Sequence, residues 1–516
     1  MGNEYSLSGA GRRILRGLIS GVGLTAVSIV VALIQMRMAV AYLPRELAGV
    51  WMLLLTFATC VSFLDLGFSP TLSREIAFVL GSDKGEQRKG QEIADLISTT
   101  FRVFLVLAGL TVVVGGGVGL VFLLSVTSAS YREQVGWCWL LFMFGAGASV
   151  LSSAGFATLY GLGDVATERV IKSISQIVWL IAAYAALSGG WGLLGLVAAW
   201  TLQTMVARVA ALVILRHRYA YLQTAVGVPS WEIFSRMVGP SIRWAIMGLG
   251  AILILYSSNF VIAARLGPSA VPQYEAVARI VMTLMTVSLY IVTSSTPFIS
   301  AAYAARDDIS VITLIMRNMR VSMWTVAVLS AYVAIFCEEV IGLWLGPEFF
   351  PGWNVVWTLL VMVILETHHV TLAAATMASG RVVFAHMAVI SGVLNIVLAL
   401  VLVKDIGLWG IALAVMFSQL VTNNWYAPYV TFRVFNIPLG QYYRQVVQMF
   451  MLVFGLSLGA NFLIRKWLPF AGWRGLLVSL AAAGVVALLL ATVLVVSPQE
   501  RGRVLGLLRA NLAKTR

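Results

Sequence analysis

The sequence predicts an all-α polytopic membrane protein with about 14 transmembrane helices, and three observations lead to this fold class. Of the 516 residues, 60% are hydrophobic and only 11% are charged, whereas a soluble domain carries about 25% charged residues. Apolar stretches of about 20 residues, long enough to cross a bilayer, recur from Gly17 to Val496. No polar block between them is long enough to fold separately, which disfavours the soluble enzymes.

The individual spans follow from a hydropathy window of about 19 residues, with turns, charges and prolines as breaks. Although Arg12, Arg13 and Arg16 precede the first stretch, it has no small-residue cleavage site, so we expect a retained span rather than a signal peptide. The predicted spans are 17–43, 47–66, 103–127, 137–161, 171–189, 191–215, 241–265, 274–299, 321–344, 354–378, 382–403, 408–430, 447–464 and 474–496.

The basic residues predict the orientation of the chain. An even number of spans places both termini on one side, and 25 of the 35 lysines and arginines fall on that side. The positive-inside rule therefore predicts cytoplasmic termini. The net charge of +14 is explained by this orientation, so nucleic acid is not expected as a partner. Seven tryptophans fall near predicted outer ends, as interfacial rings should: Trp51, Trp137, Trp191, Trp344, Trp353, Trp409 and Trp473.

An internal repeat is indicated between spans 1–6 and spans 7–12. Gly161 and Gly380 end spans 4 and 10, and a Trp-Gly pair opens span 6 at Trp191 and span 12 at Trp409. Transporter folds often arise by such duplication. We therefore expect two six-helix lobes related by a pseudo-two-fold axis, with two further helices. The predicted boundaries are 1–220 for the N-terminal lobe, 221–436 for the C-terminal lobe, and 437–516 for the extra helices and a basic cytoplasmic tail.

Three segments carry a resemblance to a known family: "RRILRGLISGVG", "LAGVWMLLLTFATCVSFLDLGFSPTLSREIA" and "GLWGIALAV". They are similar to polysaccharide-type exporters of the multidrug/oligosaccharidyl-lipid/polysaccharide superfamily, such as O-antigen flippases. The sequence-specific part covers residues 11–80, and the span pattern covers most of the chain. The resemblance implies alternating-access export of an undecaprenyl-pyrophosphate-linked glycan by a multi-pass protein of the bacterial inner membrane. Spans 13 and 14 go beyond the twelve-span relatives.

The resemblance also implies the partners of the chain. These are the lipid-linked glycan, membrane lipids, H⁺ or Na⁺ as a coupling ion, and the polysaccharide polymerase machinery. No cofactor and no enzymatic activity are expected. The sequence contains no GxxxxGK loop, so ATP-driven transport has no support.

Arginines inside or beside the spans are the candidates for holding the substrate phosphates. The planar guanidinium binds phosphate bidentately and stays charged, and a charge at membrane depth is costly unless it faces water or a partner. Snorkelling or local neutralisation is the alternative for Arg37, Arg279 and Arg208, and Glu275 is the i, i+4 partner of Arg279. Arg243 and Arg265, at the two ends of span 7, could guard its mouths, and an ordinary flanking anchor is the alternative for both. The candidates are Arg37, Arg279, Arg208, Arg243 and Arg265.

The run "ETHH" in span 10 supplies the candidates for ion coupling. Glu366 and His369 are three residues apart and share a helix face near the predicted midplane, while His368 points elsewhere. A carboxylate–imidazole pair can take up a proton near neutral pH. A fixed structural contact is the alternative. Two ligands on one face are too few for a metal site, so no metal is expected.

Asp65, which closes span 2 in "FLDLGF", is a further ion-coupling candidate. A carboxylate at this position also suits a helix cap or an arginine pair, and that structural use is the alternative.

Two other functions stay open at this point. A drug or metabolite antiporter of the same superfamily would favour an acidic cavity, against which the three intramembrane arginines argue. A membrane-embedded glycosyltransferase or polymerase would need catalytic groups on a sizeable outer loop, whereas the predicted outer loops are short.

Overall fold

The computed structural model describes residues 7–219, 226–381, 383–468 and 472–495, with the side chains of residues 7–19 and 291 excepted. Every regular element within these ranges is a helix. Thirteen helical stretches among them are long and apolar enough to cross a membrane. The chain is therefore a multi-pass membrane protein. It forms two compact units, Met1–Pro272 and Gln273–Arg516, which are described in turn.

The first unit contains spans 1 to 7. A π-helical turn, Thr111–Gly115, joins two of its helices, and a 3₁₀ turn, Pro268–Ala270, follows the last one. The helices are α1 (Leu7–Tyr42), α2 (Arg45–Ser62), α3 (Phe68–Leu80), α4 (Glu86–Leu110), α5 (Gly116–Val126), α6 (Arg132–Leu151), α7 (Ser153–Gly161), α8 (Val165–Ser188), α9 (Gly192–Arg218), α10 (Trp231–Leu255) and α11 (Ser257–Leu266).

Large aromatic side chains pack the interior of this unit. Trp51 of α2 is fully buried and stacks on Trp179 of α8, with 6.2 Å between ring centroids. Trp139 of α6 donates its indole N–H to the carbonyl of Gly116 at 2.7 Å. The ring of Trp51 therefore serves helix packing rather than facing outward, and its predicted depth near the headgroups stays a prediction. Trp137 and Trp191, at 64% and 63% exposure, do face outward.

The second unit contains spans 8 to 14. Its first helix begins at the end of the first unit, a 3₁₀ turn lies at Pro347–Phe349, and π-helical turns lie at Tyr443–Val447 and Ala491–Val495. The helices are α12 (Val271–Ala304), α13 (Asp308–Trp344), α14 (Trp353–Ala378), α15 (Ala385–Val421), α16 (Asn423–Phe435), α17 (Leu439–Tyr442), α18 (Gln448–Trp467) and α19 (Gly472–Leu490).

One apolar stretch, Ala385–Phe435, is 51 residues long and holds two spans. A straight helix of that length would measure about 76 Å, more than twice the hydrocarbon thickness of a bilayer. Its helical path breaks inside α15, where Ile406 has φ −128° and Gly407 has φ +57° and ψ −135°. Only glycine adopts that last conformation without strain. Spans 11 and 12 are thus joined without a loop, and the prediction of about fourteen spans is confirmed.

The two extra spans pack on α13. Tyr332 and Phe336 of α13 form an apolar cluster with Leu476 and Ala483 of α19. Tyr332 also shares a 2.8 Å hydroxyl–hydroxyl hydrogen bond with Ser479. These contacts attach the last helices to span 9. The predicted basic tail after them lies outside the described residues.

Several helices begin well before the spans predicted for them. The helix predicted from 103 begins at Glu86, the one predicted from 241 begins at Trp231, and the one predicted from 321 begins at Asp308. Hydropathy marks where a helix enters the apolar layer, whereas amphipathic segments continue the same helix beyond it. In each case the extension lies on the side predicted to be cytoplasmic.

Span 7 packs with the first unit. On α11, Asn259 donates to the Thr56 hydroxyl of α2 at 2.9 Å, and on α10, Ser241 donates to the Thr71 hydroxyl of α3 at 3.0 Å. The predicted lobe boundary at 220 falls at the edge of residues 220–225, which the structure does not describe. The division into lobes at 220 and 436 stays a prediction.

Candidate functional site

Arg37 lies in the last third of α1, five residues before the helix ends at Tyr42. The neighbouring side chains of Met36, Met38 and Ala39 are buried in the first unit, whereas Arg37 itself is exposed. The packed face of α1 therefore leaves the guanidinium on the surface of the unit. An exposed guanidinium at membrane depth requires a polar environment, because contact with lipid tails is costly.

Arg208 is held inside the first unit. Its guanidinium donates to the Ser149 hydroxyl of α6 and lies 5.2 Å from the ring centroid of Phe156 on α7. Lys172 of α8 approaches the same ring at 5.3 Å and pairs with Glu168. A cation over an aromatic face is stabilised by the ring quadrupole. These contacts favour a packing role for Arg208 over contact with substrate.

Arg243 and Arg265 both lie in span 7 and are exposed. Because α10 begins at Trp231, Arg243 lies about 18 Å along this helix. Arg265 occupies the last turn of α11, where a cation interacts favourably with the helix dipole. Neither makes an ion pair with any residue in the described ranges. Both therefore stay available as anion contacts.

Asp65 forms the turn between α2 and α3. Its carboxylate accepts the backbone N–H of Gly67 at 2.8 Å, and its carbonyl accepts the N–H of Phe68 at 2.9 Å. Asp and Asn commonly bond to the backbone two residues on, which stabilises a turn. The structure thus gives Asp65 a local partner and places it in a different unit from Glu366 and His369.

Arg279 of α12 is paired within its own helix. Its Nε lies 3.0 Å from Glu275 Oε2, and both side chains are less than one-fifth exposed. The predicted i, i+4 pair is confirmed. The Nε–H itself is not aimed at an acceptor among the described residues, so the contact is an ion pair rather than a well-directed hydrogen bond.

Glu366 and His369 meet on one face of α14, as helical phase predicts. Glu366 Oε2 lies 3.1 Å from His369 Nδ1, and the two side chains are 9% and 12% exposed. The pair is enclosed in the second unit, where α14 packs beside α13, α15 and α16.

His368 points to a different helix, which the sequence predicts only in general terms. Its Nε2 lies 2.5 Å from the Tyr442 hydroxyl of α17, and the two rings meet edge to face at 5.9 Å. The contact links span 10 to the start of span 13. Because 74 residues separate the partners, no local pattern in the sequence reveals it.

The second unit also buries polar side chains that the sequence reasoning missed. Thr367 of α14 and Ser391 of α15 are fully buried, and so is Gln419. Their side-chain polar atoms include several without a hydrogen-bond partner among the described residues. These side chains make the interior of the second unit partly polar. The presence of polar residues within otherwise apolar spans is the sequence signal that could have predicted these positions.

In the part of the chain that the structure describes, no group of three or more His, Cys, Asp or Glu side chains lies close enough together to hold a metal ion.

The architecture defines the class of protein first. The fold matches that of "Lipid II flippase MurJ, inward closed conformation" with a TM-score of 0.69 over 92% of this chain and 98% of that one, at 13% identity. It also matches an inward-facing "multidrug resistance MATE family transporter of the MOP superfamily" with a TM-score of 0.65 over 80% of this chain and 98% of that one, at 17% identity. The predicted resemblance to this superfamily is confirmed at the level of the fold.

Sequence then gives the family. Residues 14–302, more than half of the chain, match the model of the polysaccharide biosynthesis protein family, and the chain belongs to it. A curated relative, the "Probable low-salt glycan biosynthesis flippase Agl15" of Haloferax volcanii, is 23% identical over 271 residues. That alignment covers 52% of this chain and 55% of the relative, so the chain spans about half the length of the relative it matches.

Proposed function

We propose that this protein flips a lipid-linked oligosaccharide or polysaccharide precursor across the bacterial inner membrane. The observation that carries the proposal is membership of the polysaccharide biosynthesis family in a chain whose described residues include 13 helical stretches long and apolar enough to cross a membrane. The substrate is an undecaprenyl-pyrophosphate-linked glycan, and the cycle is alternating access. The termini lie in the cytoplasm, and polysaccharide polymerase machinery receives the product.

Arg37 is the leading contact for the pyrophosphate. Its fork of N–H donors matches phosphate oxygens bidentately, and its side chain is exposed on the surface of the first unit. Arg243 and Arg265 mark the two ends of span 7 and attract the anionic headgroup as it enters and leaves. Arg279 exchanges Glu275 for a phosphate when substrate is present, because its Nε–H is not directed at an acceptor among the described residues.

Glu366 and His369 couple transport to H⁺ or Na⁺ within this proposal. The support is their 3.1 Å contact and their burial, together with the polar interior of the second unit. Protonation of a buried pair changes its desolvation cost and so biases a two-state element. A structural contact without coupling is the alternative that the pH experiment in the Discussion tests.

The test is depletion of the protein in the cells that make it, followed by quantification of lipid-linked glycan in the two leaflets. We expect the glycan-lipid to accumulate on the cytoplasmic leaflet. Re-expression of the native chain should clear it, whereas the double variant Arg37→Ala, Arg279→Ala should insert and fail to clear it. Arg317→Ala, which removes an exposed arginine of α13, is the matched control and should clear it. Unchanged leaflet distribution after depletion would refute flipping.

A further inference from the structure

A cavity of about 500 Å³ opens at one end of the second unit, where the α13–α14 connection meets the break in α15. We call it the tryptophan pocket. Its walls include Trp353 and Asn354 from the first turn of α14, and Leu408 and Trp409 from just after the break. Basic residues predict that this end faces out of the cell. The volume lies in the range of small-molecule sites.

The two indole rings behave differently from interfacial anchors. Trp191 and Trp473 are 63% and 52% exposed and present their rings outward. In contrast, Trp409 is 37% exposed and its indole N–H donates to the Thr358 hydroxyl at 3.1 Å. Trp353 contacts Phe350 edge to face at 5.4 Å. Both rings are therefore fixed by protein contacts and form part of a concave wall.

The polar groups of the pocket are neutral. None of the eight residues that line it is ionisable, which makes it unsuitable for phosphate or a carboxylate. Asn354 is exposed and offers an amide donor and acceptor. The first turn of α14 adds backbone N–H groups that no side chain caps. The ligand must therefore combine neutral hydrogen-bonding groups with an apolar face.

We propose that the tryptophan pocket binds a neutral pyranose ring of the exported glycan after its headgroup has crossed the membrane. A pyranose carries hydroxyls around its rim and weakly positive C–H groups on its faces, and the negative face of an aromatic ring attracts such C–H groups. Asn354 and the free N–H groups of α14 then bond the hydroxyls. The site rests on the proposed function, and it would contact the sugar part of the substrate rather than its phosphates.

The experiment uses the full chain in lipid nanodiscs with free glucose, galactose, mannose and N-acetylglucosamine as probes, each at about 10 mM. Saturation-transfer NMR should show contact between the protein and the ring protons of at least one sugar. Trp353→Ala and Asn354→Ala should each weaken the binding of that sugar by at least roughly tenfold. Trp357→Ala, one turn further along α14 and 40% exposed, is the matched control and should leave binding unchanged.

Two results would overturn the proposal. One is the absence of saturation transfer for all four sugars, or transfer that Trp353→Ala leaves intact. The other is occupation of the pocket by lipid. In that case a phospholipid with a spin-labelled headgroup would broaden the 5-fluorotryptophan signals of Trp353 and Trp409, and none of the sugars would displace it. Depletion of the protein reports separately on flipping. Sugar binding without leaflet accumulation would refute the function and keep the pocket, and the reverse result would refute the pocket alone.

Discussion

Basic side chains of the two units differ in whether their own helix supplies an acidic partner. In the first unit, α1 and α9 carry Arg37 and Arg208 and contain no carboxylate. In the second unit, Arg279 of α12 has Glu275 one turn away, and His369 of α14 has Glu366. Arg37 and Arg208 therefore have no acid on their own helix, whereas Arg279 and His369 each have one.

This difference suggests a division of labour within the proposed cycle. A basic side chain with no acid on its own helix can attract an anionic headgroup, because the cost of placing the charge at membrane depth is offset when phosphate binds. A buried acid–base pair gains little from an anion but responds to protons and cations. We expect substrate contact to depend mainly on the first unit and coupling mainly on the second.

The largest effect should come from Arg37. Arg37→Ala removes a charge-assisted contact worth about 1.5–3 kcal/mol, so the export rate per inserted molecule should fall roughly tenfold to a hundredfold. Arg37→Lys should give an intermediate rate because it keeps the charge and loses the planar fork. Arg208→Ala is the comparison: it should lower the melting temperature and leave the export rate nearly unchanged. Equal losses of export for Arg37→Ala and Arg208→Ala would remove the distinction drawn between them.

Two glycines that lie between consecutive spans, Gly407 and Gly190, should differ in how much stability is lost when alanine replaces them. Gly407→Ala places a Cβ where φ is +57° and ψ is −135° and should reduce stability by about 1–3 kcal/mol. Gly190→Ala, between spans 5 and 6 at φ +80°, should cost about 1–2 kcal/mol. Thermal unfolding of both variants in detergent would test the order. A melting temperature for Gly407→Ala at or above the native value would contradict the strained link.

The pH dependence of export should depend on the second unit. Glu366→Gln keeps the size of the side chain and an acceptor for His369 but removes the titrating acid. If the pair couples export to protons, the ratio of export rates between about pH 6 and pH 8 should fall to near one, because histidine ordinarily changes charge in that window. His369→Gln should act alike, and His386→Gln, outside the pair, is the control. A native pH profile in Glu366→Gln would make the pair structural.

The smallest effect should come from the contact that ties span 13 to span 9. Arg465 lies 2.5 Å from Glu339 and donates to the carbonyl of Ile335 at 2.8 Å. Because Arg465 is 44% exposed, solvent screens the pair, and Arg465→Gln should cost less than about 1 kcal/mol. The melting temperature should fall slightly and export should persist. A large loss of export would give the extra helices a direct role in transport.

Much of the fold is readable from the sequence because hydropathy and charge report directly on the membrane. The number and order of spans follow from apolar runs, and the i, i+4 and i, i+3 pairs of Arg279 and Glu366 follow from helix geometry. The resemblance carried by residues 11–80 matches the family to which the chain belongs. These features are local, so neighbouring letters suffice to predict them.

The parts that the sequence does not predict depend on contacts between distant segments. The partners Ser149 and Phe156 of Arg208 come from other helices, and Tyr442 reaches His368 across 74 residues. Trp51 has the letter and position of an interfacial anchor, yet it stacks on Trp179. The sequence does not predict the early starts of α4, α10 and α13, because a polar segment marks the end of a membrane span while the helix itself continues through it.

The loop-free link at Ile406–Gly407 also bears on how the chain enters the membrane during synthesis. The chain reverses direction between spans 11 and 12 within a few residues, so we expect the two spans to insert into the membrane together as a helical hairpin. The polar segment that must cross the membrane with them is short. Lys404 and the adjacent Asp405 are the charged residues at the tip of the hairpin. Because their charges are opposite, the net charge of the segment that crosses the membrane is near zero.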